Sequence, residues 1–487
     1  MGAYRQTDKK ERHLMATSTD NAAVSEKDRK RREFILTGNP MAVVLRISLP
    51  LMALGAFSYI SSVIDTFVVS TTDSDALSSV VMISQIKSLI TALGAGFATG
   101  SSIIVSRLIG RGEYDKAKKA ANTTIESFFI LAIAVIALIQ VFAVPILRLA
   151  QLNDEMIDMG LGYFRVQIVS IGVGLFNQVF MGLEKARGAM MNITIINITS
   201  MSIKLVFTIV FVTLFSLGTT WVAVATLCAD LSVTTYALVN IFRKNYLFKF
   251  NAKNVMFNKD FFKPLCSLSI PVSLGKFVFS MGKVIVNGLG MRYEDNEPGA
   301  VGALGVSNQI SGSVTHLTTY SEDSESSVIS YNLSQKQYKR MIQVFFCTLA
   351  LNLFITIVGF ILLTIFSAPL SLFFAGDGGQ EKAELIEKIF SYERIGIIAL
   401  GVNSAVNGLI YGLGYTKLSM IVNLSRLFVF RIPAMLVMIN AFPEMGAESL
   451  GVAMLISNVG IGLMSVVIGI VCLIRIKNHK TKDNIKM

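Results

Sequence analysis

Long apolar runs separated by short polar connections organise this chain from about residue 40 to about residue 475. Most runs exceed the roughly 20 residues that an α-helix needs to cross a ~30 Å hydrocarbon core. Twelve such spans are predicted, near 41–70, 77–106, 119–146, 160–183, 188–216, 221–242, 264–291, 300–332, 341–374, 389–413, 418–441 and 447–475. Several are longer than the minimum, which predicts tilt or extension beyond the bilayer. The expected fold class is an all-α polytopic membrane protein.

Composition agrees with that pattern. Of 487 residues, 53% are hydrophobic and 16% charged, whereas a soluble protein carries about a quarter charged residues. Soluble multidomain folding is therefore excluded. The net charge of +12 does not point to nucleic acid, because the basic residues lie between the apolar runs and at the ends of the chain. They also alternate. Arg107, Arg111, Lys116, Lys118 and Lys119 fill one connection; Lys185 and Arg187, the segment 243–263, Lys336 with Lys339 and Arg340, and Lys417 fill others on the same side. The intervening connections are acidic or neutral, with Asp73 and Asp75, Asp154 and Glu155, Glu294 and Glu297, and Glu444. The positive-inside rule puts the basic side and both termini in the cytoplasm, which an even number of spans requires. Residues 1–38 are expected to form a basic cytosolic tail, solvated or lying on the membrane surface, without the apolar core of a signal peptide. Residues 476–487 form a second cytosolic tail. The four cysteines lie inside apolar spans, with neither metal-ligand spacing nor a disulfide framework.

The basic segment 243–263 is the one connection long enough to link two domains, and the sequence repeats weakly across it. Ser48-Leu49-Pro50 in the first span corresponds to Ser269-Ile270-Pro271 in the seventh, and Ser84-Gln85-Ile86 to Asn308-Gln309-Ile310. Val105-Ser106 with Tyr114 beyond it matches Ile329-Ser330 with Tyr338, and Gly182-Leu183 matches Gly412-Leu413. Two six-helix lobes, 39–242 and 264–475, are thus expected in the same orientation. Parallel repeats of this kind place a substrate site near the midplane between the halves. No G-x-x-x-x-G-K-[ST] segment is present, and neither a metal cluster nor a nucleophile–base arrangement is visible, so enzymatic function is not expected.

The residues at these positions resemble the MATE (multidrug and toxic compound extrusion) family. Pro50 and Val63-Ile64-Asp65-Thr66 resemble its first helix; Gly100-Ser101-Ser102, Ser106-Arg107 and Gly110-Arg111-Gly112 resemble its second helix and the loop that follows; Trp221-Val222-Ala223 resembles its sixth. The resemblance covers about residues 38–475. It implies two lobes around a central cavity, alternating access, and export of amphipathic, typically cationic, toxic compounds in exchange for H+ or Na+. A bacterial inner-membrane location, a monomer in the lipid bilayer, small organic substrates, no nucleic acid and no cofactor beyond the coupling ion follow as expectations. A flippase for lipid-linked saccharides, from the same superfamily, is the alternative. A channel or sensor fits two large repeats poorly.

The resemblance assigns cation coupling to Asp65, with Na+ as one candidate ion. An ionised acid facing lipid would cost about 2.5–3.5 kcal/mol on insertion scales, so Asp65 is expected to face the lobe interior, as a coupling acid or in a fixed salt bridge. Where the family carries an Asn and an Asp in the fifth span, this chain has Lys204 and Thr208. Lys204 is therefore expected near Asp65, with Thr226 and Asn177 or Gln178 as polar partners. In the second lobe Lys276 and Lys283 lie two turns apart on one helix face. The eighth span carries His316 and then Ser321-Glu322-Asp323-Ser324-Glu325-Ser326. Acids there either line a wet cavity opposite the two lysines or lie hydrated at the cytoplasmic mouth. His316 is expected among the cavity residues, as a polar packing side chain rather than a titrating switch. Gly94, Gly96 and Gly100 are close-packing positions of an apolar helix.

Overall fold

The computed structural model describes residues 25–485 except 71–73, 150–153, 216, 218–219, 244, 250–258, 295–296 and 377–378; within the helices, the side chains of residues 62, 65–70 and 74–86 are among those outside the described set. The first lobe contains α2 (Pro40–Ser70), α3 (Ser74–Arg111), α4 (Tyr114–Val141), α6 (Asp154–Ala186), α7 (Met190–Ile209) and α8 (Thr220–Phe242), preceded by α1 (Glu26–Thr37) and with the short α5 (Ala143–Leu149) after α4. The second contains α9 (Lys259–Gly290), α10 (Ala300–Ser334), α11 (Tyr338–Ile365) with the short α12 (Ser367–Ala375), the broken span α13 (Gly379–Glu393) and α14 (Ile397–Leu413), α15 (Thr416–Ser425) with α16 (Ile432–Ala441), and α17 (Glu448–Ile485). No strand occurs among the described residues. Eleven of the twelve spans are long and apolar enough to cross a membrane. The exception is α10, whose run of acids and serines lowers its hydropathy.

The repeat recurs in the turns. The chain leaves α3 through Gly112 (φ 78°) and α10 through Lys336 (φ 55°); it leaves α6 through Gly188 (φ 69°) and α14 through Gly414 (φ 76°). A side chain in this left-handed region costs about 1–2 kcal/mol. Lys336 carries that strain where the first lobe uses glycine.

The lobes meet along α2, α3, α9 and α10, at the end of the bundle that bears α1 and the basic connections. Ser48 and Ser324 hydroxyls are 2.5 Å apart, and Ser102 and Ser327 hydroxyls 3.2 Å apart. Ser273 Oγ donates to the Leu93 carbonyl (2.8 Å), Gln335 Nε2 to the Gly110 carbonyl (2.5 Å), and the Tyr331 hydroxyl to the Ala186 carbonyl (2.7 Å). Between α3 and α9 the backbones approach through two i,i+4 small-residue pairs. A Cβ on Gly96 would stand 2.4 Å from the Ser273 backbone nitrogen, and one on Gly100 2.1 Å from Ser269 Oγ. This is the small-xxx-small packing of membrane helices, as the glycine pattern predicted. The Ser48–Ser324 and Ser269–Gly100 contacts are counterparts under the repeat.

Residues 26–37, expected within a solvated tail, instead form the docked helix α1, with Ile35 and Leu36 buried. Arg32 donates to the carbonyls of Ile109 and Gly110 (both 2.9 Å), satisfying the open C-terminal end of α3. Arg340 of the second lobe donates to the Ile35 carbonyl (3.0 Å) and to that of Gly38. Thus α1 spans the seam between lobes. Its Asp28, 4% exposed, pairs with Arg187 at 3.0 Å, and Arg187 also holds Glu184 at 3.0 Å and lies over the Tyr246 ring. Burial opposes the Arg187 charge, yet Glu184 and Asp28 outweigh it and hold the guanidinium above its ordinary range. Burial, then the Glu184 carboxylate, pushes the Tyr246 phenol up. Removing one partner of a buried pair costs about 3–5 kcal/mol. Arg187→Ala leaves Asp28 with Arg31 alone (3.2 Å) and Glu184 with the Tyr246 hydroxyl alone (2.7 Å), so thermal unfolding in detergent is expected to occur at a clearly lower temperature, while Arg187→Lys recovers part of the loss.

Candidate substrate cavity and coupling residues

Between the lobes, immediately beyond the sealed end, lies a cavity of about 290 Å³ whose lining includes Gln178, Lys185, Asn197, Lys276, His316 and Asp323. Helical geometry explains the α10 contribution. His316, Thr319, Tyr320, Asp323 and Ser326 repeat at i, i+3, i+4, i+7 and i+10 and share one face. Glu322 and Glu325 lie on another face and pack against α14, at Asn407 and Gly408. Of the acids expected in the cavity, then, only Asp323 lines it. Glu322 is 8% and Glu325 2% exposed, and the one-residue step between 322 and 323 is the reason they part.

Asp323 forms an ion pair with Lys185 of the first lobe. It is a charged contact between lobes on the cavity floor, with side chains 17% and 23% exposed. Lys276 lies near enough to act electrostatically on both Glu322 and Asp323. Glu325 differs from its neighbours: both carboxyl oxygens are buried without a hydrogen-bond partner. An isolated carboxylate is costly there, so a proton or a cation must accompany any charge.

In the first lobe the polar centre forms around Asp230 of α8, a residue the sequence reading passed over. Ser170 Oγ donates to its carboxylate (2.5 Å), and Asn177 Nδ2 donates to its backbone carbonyl (2.8 Å) while accepting from Thr234 (2.8 Å). Lys87 and Lys204 are the cations within electrostatic reach of Asp230. Two of the expected coupling residues, Lys204 and Asn177, therefore converge on this acid. Thr226 does not join them; its hydroxyl donates to Val222, one turn back in the same helix, at 3.0 Å. The side chain of Asp65 lies outside the described residues, and so does the expected Asp65–Lys204 contact. Asp230 carried a signal in the sequence all the same, as a lone acid within an apolar span.

The second lobe has its own polar interior. Arg426 Nη2 donates to Asn458 Oδ1 at 2.8 Å, Arg431 reaches Ser457 and Asn458 at 3.3 Å, and Ser307 Oγ donates to Glu393 at 2.5 Å. Glu393 is the acid acting on both arginines. Glu393 itself is 4% exposed. His316 is exposed to the cavity, its ring 6.5 Å from that of Tyr59 across the seam. Lys283 does not join Lys276 over the acids; it extends along the ring of Phe279, 5.9 Å from its centroid. No group of His, Cys, Asp and Glu suited to a metal occurs among the described residues.

Two six-helix lobes enclosing a charged cavity define a polytopic membrane transporter. The chain belongs to the MatE family, whose model matches residues 50–210 and again 271–437, once in each lobe. Among curated relatives it is 20% identical over 245 residues to the multidrug export protein MepA of Staphylococcus aureus, covering 50% of this chain and 54% of the relative. It is 22% identical over 310 residues to the probable multidrug resistance protein YoeA of Bacillus subtilis, covering 61% and 66%. The match thus spans about half the length of the MepA proteins. Among solved structures, an outward-facing MATE transporter of the MOP superfamily superposes with a TM-score of 0.87 at 15% identity over 93% of this chain and 99% of the other. A MOP superfamily transporter from Pyrococcus furiosus, described as having a binding pocket of reverse polarity, superposes with a TM-score of 0.85 at 16% identity, over 93% and 99%.

Proposed function

We propose that the protein is a proton-coupled exporter of amphipathic organic compounds in a bacterial cell membrane, with both termini cytoplasmic and the present structure open to the outside. The Lys185–Asp323 ion pair carries this reading. It joins the lobes on the cavity floor in this state and must break when the lobes part at the basic end. A ligand shifts a conformational equilibrium only by its differential affinity for the two states. A proton on Asp323 is such a ligand, because it removes the charge that Lys185 holds. A proton arriving from outside would then loosen the seal, favour the inward-open state and leave on the cytoplasmic side, and substrate would be carried out on the return. Asp230 and Glu325 are further acids through which protonation can be sensed, and Asp65, where the family resemblance places coupling, is the natural comparison. The names of the relatives favour multidrug export over the flippase alternative.

The test is transport in proteoliposomes under a pH gradient or a Na+ gradient imposed separately. Export driven by the pH gradient alone supports the reading; export driven only by Na+ overturns the choice of ion. Asp230→Asn is expected to lower gradient-driven accumulation about tenfold, equivalent to ~1.4 kcal/mol, while substrate counterflow without a gradient continues. Equal loss of both would mark Asp230 as structural.

A further inference from the structure

We infer that the wall of the second lobe holds a subsite for an anionic group, formed by Lys283, Arg426 and Arg431 around the ring of Phe279, so that the preferred substrates bear a carboxylate, sulfonate or phosphate beside their apolar part. This rests on the transporter reading and specifies its substrate class. The cationic substrates implied by the family resemblance are the opposite expectation.

Three cationic groups face one aromatic ring. Arg426 Cζ lies 4.9 Å, Arg431 Cζ 5.8 Å and Lys283 Nζ 5.9 Å from the Phe279 centroid. Local backbone geometry brings the arginines together. Residues five apart point about 140° away from each other on an α-helix, but Arg426–Arg431 is a π-turn, whose i→i+5 bonding brings such residues back to one side. Glu393 is the acid that reaches this group, acting on Arg426 and Arg431 while bonded to Ser307. Lys283 has no carboxylate partner among the described residues; the charged groups acting on it are Arg431 and Arg426, and it acts in turn on His316. Arg426 Nε is buried without an acceptor. The cluster therefore holds more positive charge than its own acid neutralises.

The first lobe sharpens the contrast. There the basic residue of the fifth span, Lys204, has the carboxylate of Asp230 on the sixth. In the second lobe the eleventh span offers Arg426, and the twelfth answers with the neutral amide of Asn458. Charge at bilayer depth is costly unless paired or hydrated. A counter-charge supplied by the substrate completes the set, and the Phe279 face with its adjoining helices supplies an apolar bed. Lys283 is exposed and acts on His316 of the cavity wall, so an anion approaching the group meets Lys283 first.

The test uses the full-length purified protein and two amphipathic fluorescent probes of opposite sign, 8-anilinonaphthalene-1-sulfonate and ethidium. The sulfonate should bind more tightly than ethidium, and more weakly as salt is raised. Lys283→Gln should weaken the sulfonate about tenfold, Lys283→Glu more, and Lys283→Arg should retain it; ethidium should be unaffected by Lys283→Gln. Unchanged melting temperatures of these exposed-site variants confirm that they remain folded. Sulfonate affinity that is no higher than that of ethidium, or that is indifferent to Lys283→Gln, overturns the subsite. Ethidium still exported under a pH gradient in that case would leave the exporter reading intact, whereas sulfonate binding without gradient-driven export of either probe would overturn the exporter reading and leave the subsite standing.

Discussion

Exchanging the charges of Lys185 and Asp323 restores the closed seam that either single reversal opens. Lys185→Asp alone puts two carboxylates face to face on the cavity floor, and Asp323→Lys alone puts two ammonium groups there beside Lys276. A hydrogen bond to a charged group contributes about 1.5–3 kcal/mol, so losing the pair shifts the balance of lobe states by roughly ten- to a hundredfold, and like-charge contact adds to the shift. Each single variant should therefore favour the state open at the basic end and transport poorly. The double variant, Lys185→Asp with Asp323→Lys, should recover the outward-open state. Accessibility of a cysteine placed at Ser48, which is buried on the seam against Ser324, measures the balance of states independently of transport. Loss of transport in the singles without change in that accessibility would remove the pair from the gating mechanism. A mere fold requirement would instead appear as loss of protein in all three variants.

The second large effect comes from adding a single methyl group. Gly96→Ala places a Cβ 2.4 Å from the Ser273 nitrogen and 2.6 Å from its Cα. Those are backbone atoms and cannot rotate aside. Overpacking of this kind costs about 1–3 kcal/mol, and the clash lies across the lobe seam, so the cost falls on the sealed state. Gly96→Ala should populate the inward-open state and reduce export several-fold without lowering the yield of folded protein. Gly182→Ala is the control. Its Cβ would meet Ala98 backbone at 2.5 Å, a contact inside the first lobe, and it should destabilise folding itself. If the two variants behave alike, the α3–α9 seam does not open during the cycle.

Apolar run length was enough to place eleven of the twelve spans because the bilayer sets a length and each backbone must satisfy its own hydrogen bonds. The repeat was legible for the same reason that Gly112 and Lys336 occupy equivalent turns: two lobes built alike need the same backbone shape at the same places. The candidate site was less visible. Whether an acid faces a cavity or a neighbouring helix depends on one residue of helical phase, and that separates Asp323 from Glu322. Asp230 lay in an otherwise ordinary span, and its partners, Ser170 and Asn177, come from α6, far away in sequence. The docking of α1 was hidden because its fastening uses backbone carbonyls: Arg32 and Arg340 find acceptors at helix ends that no residue pattern announces. The π-turn that aligns Arg426 with Arg431 was equally invisible to a reading based on helices of one period.

The polarity of α10 bears on how the molecule is assembled. Glu322 and Glu325 would each oppose entry into the bilayer if the helix left the insertion machinery alone, at about 2.5–3.5 kcal/mol for an acid such as Asp at the helix centre on insertion scales. Their cover is α14, through Asn407 and Gly408, and α14 is synthesised some eighty residues later. Through that interval α10 has to be held against helices already made, of which α2 and α3 offer the serine-lined faces it finally occupies. The two lobes are therefore not independent units of biogenesis, since the first-lobe surface that later parts and rejoins during transport also shelters the second lobe's least membrane-compatible helix while the chain is being completed.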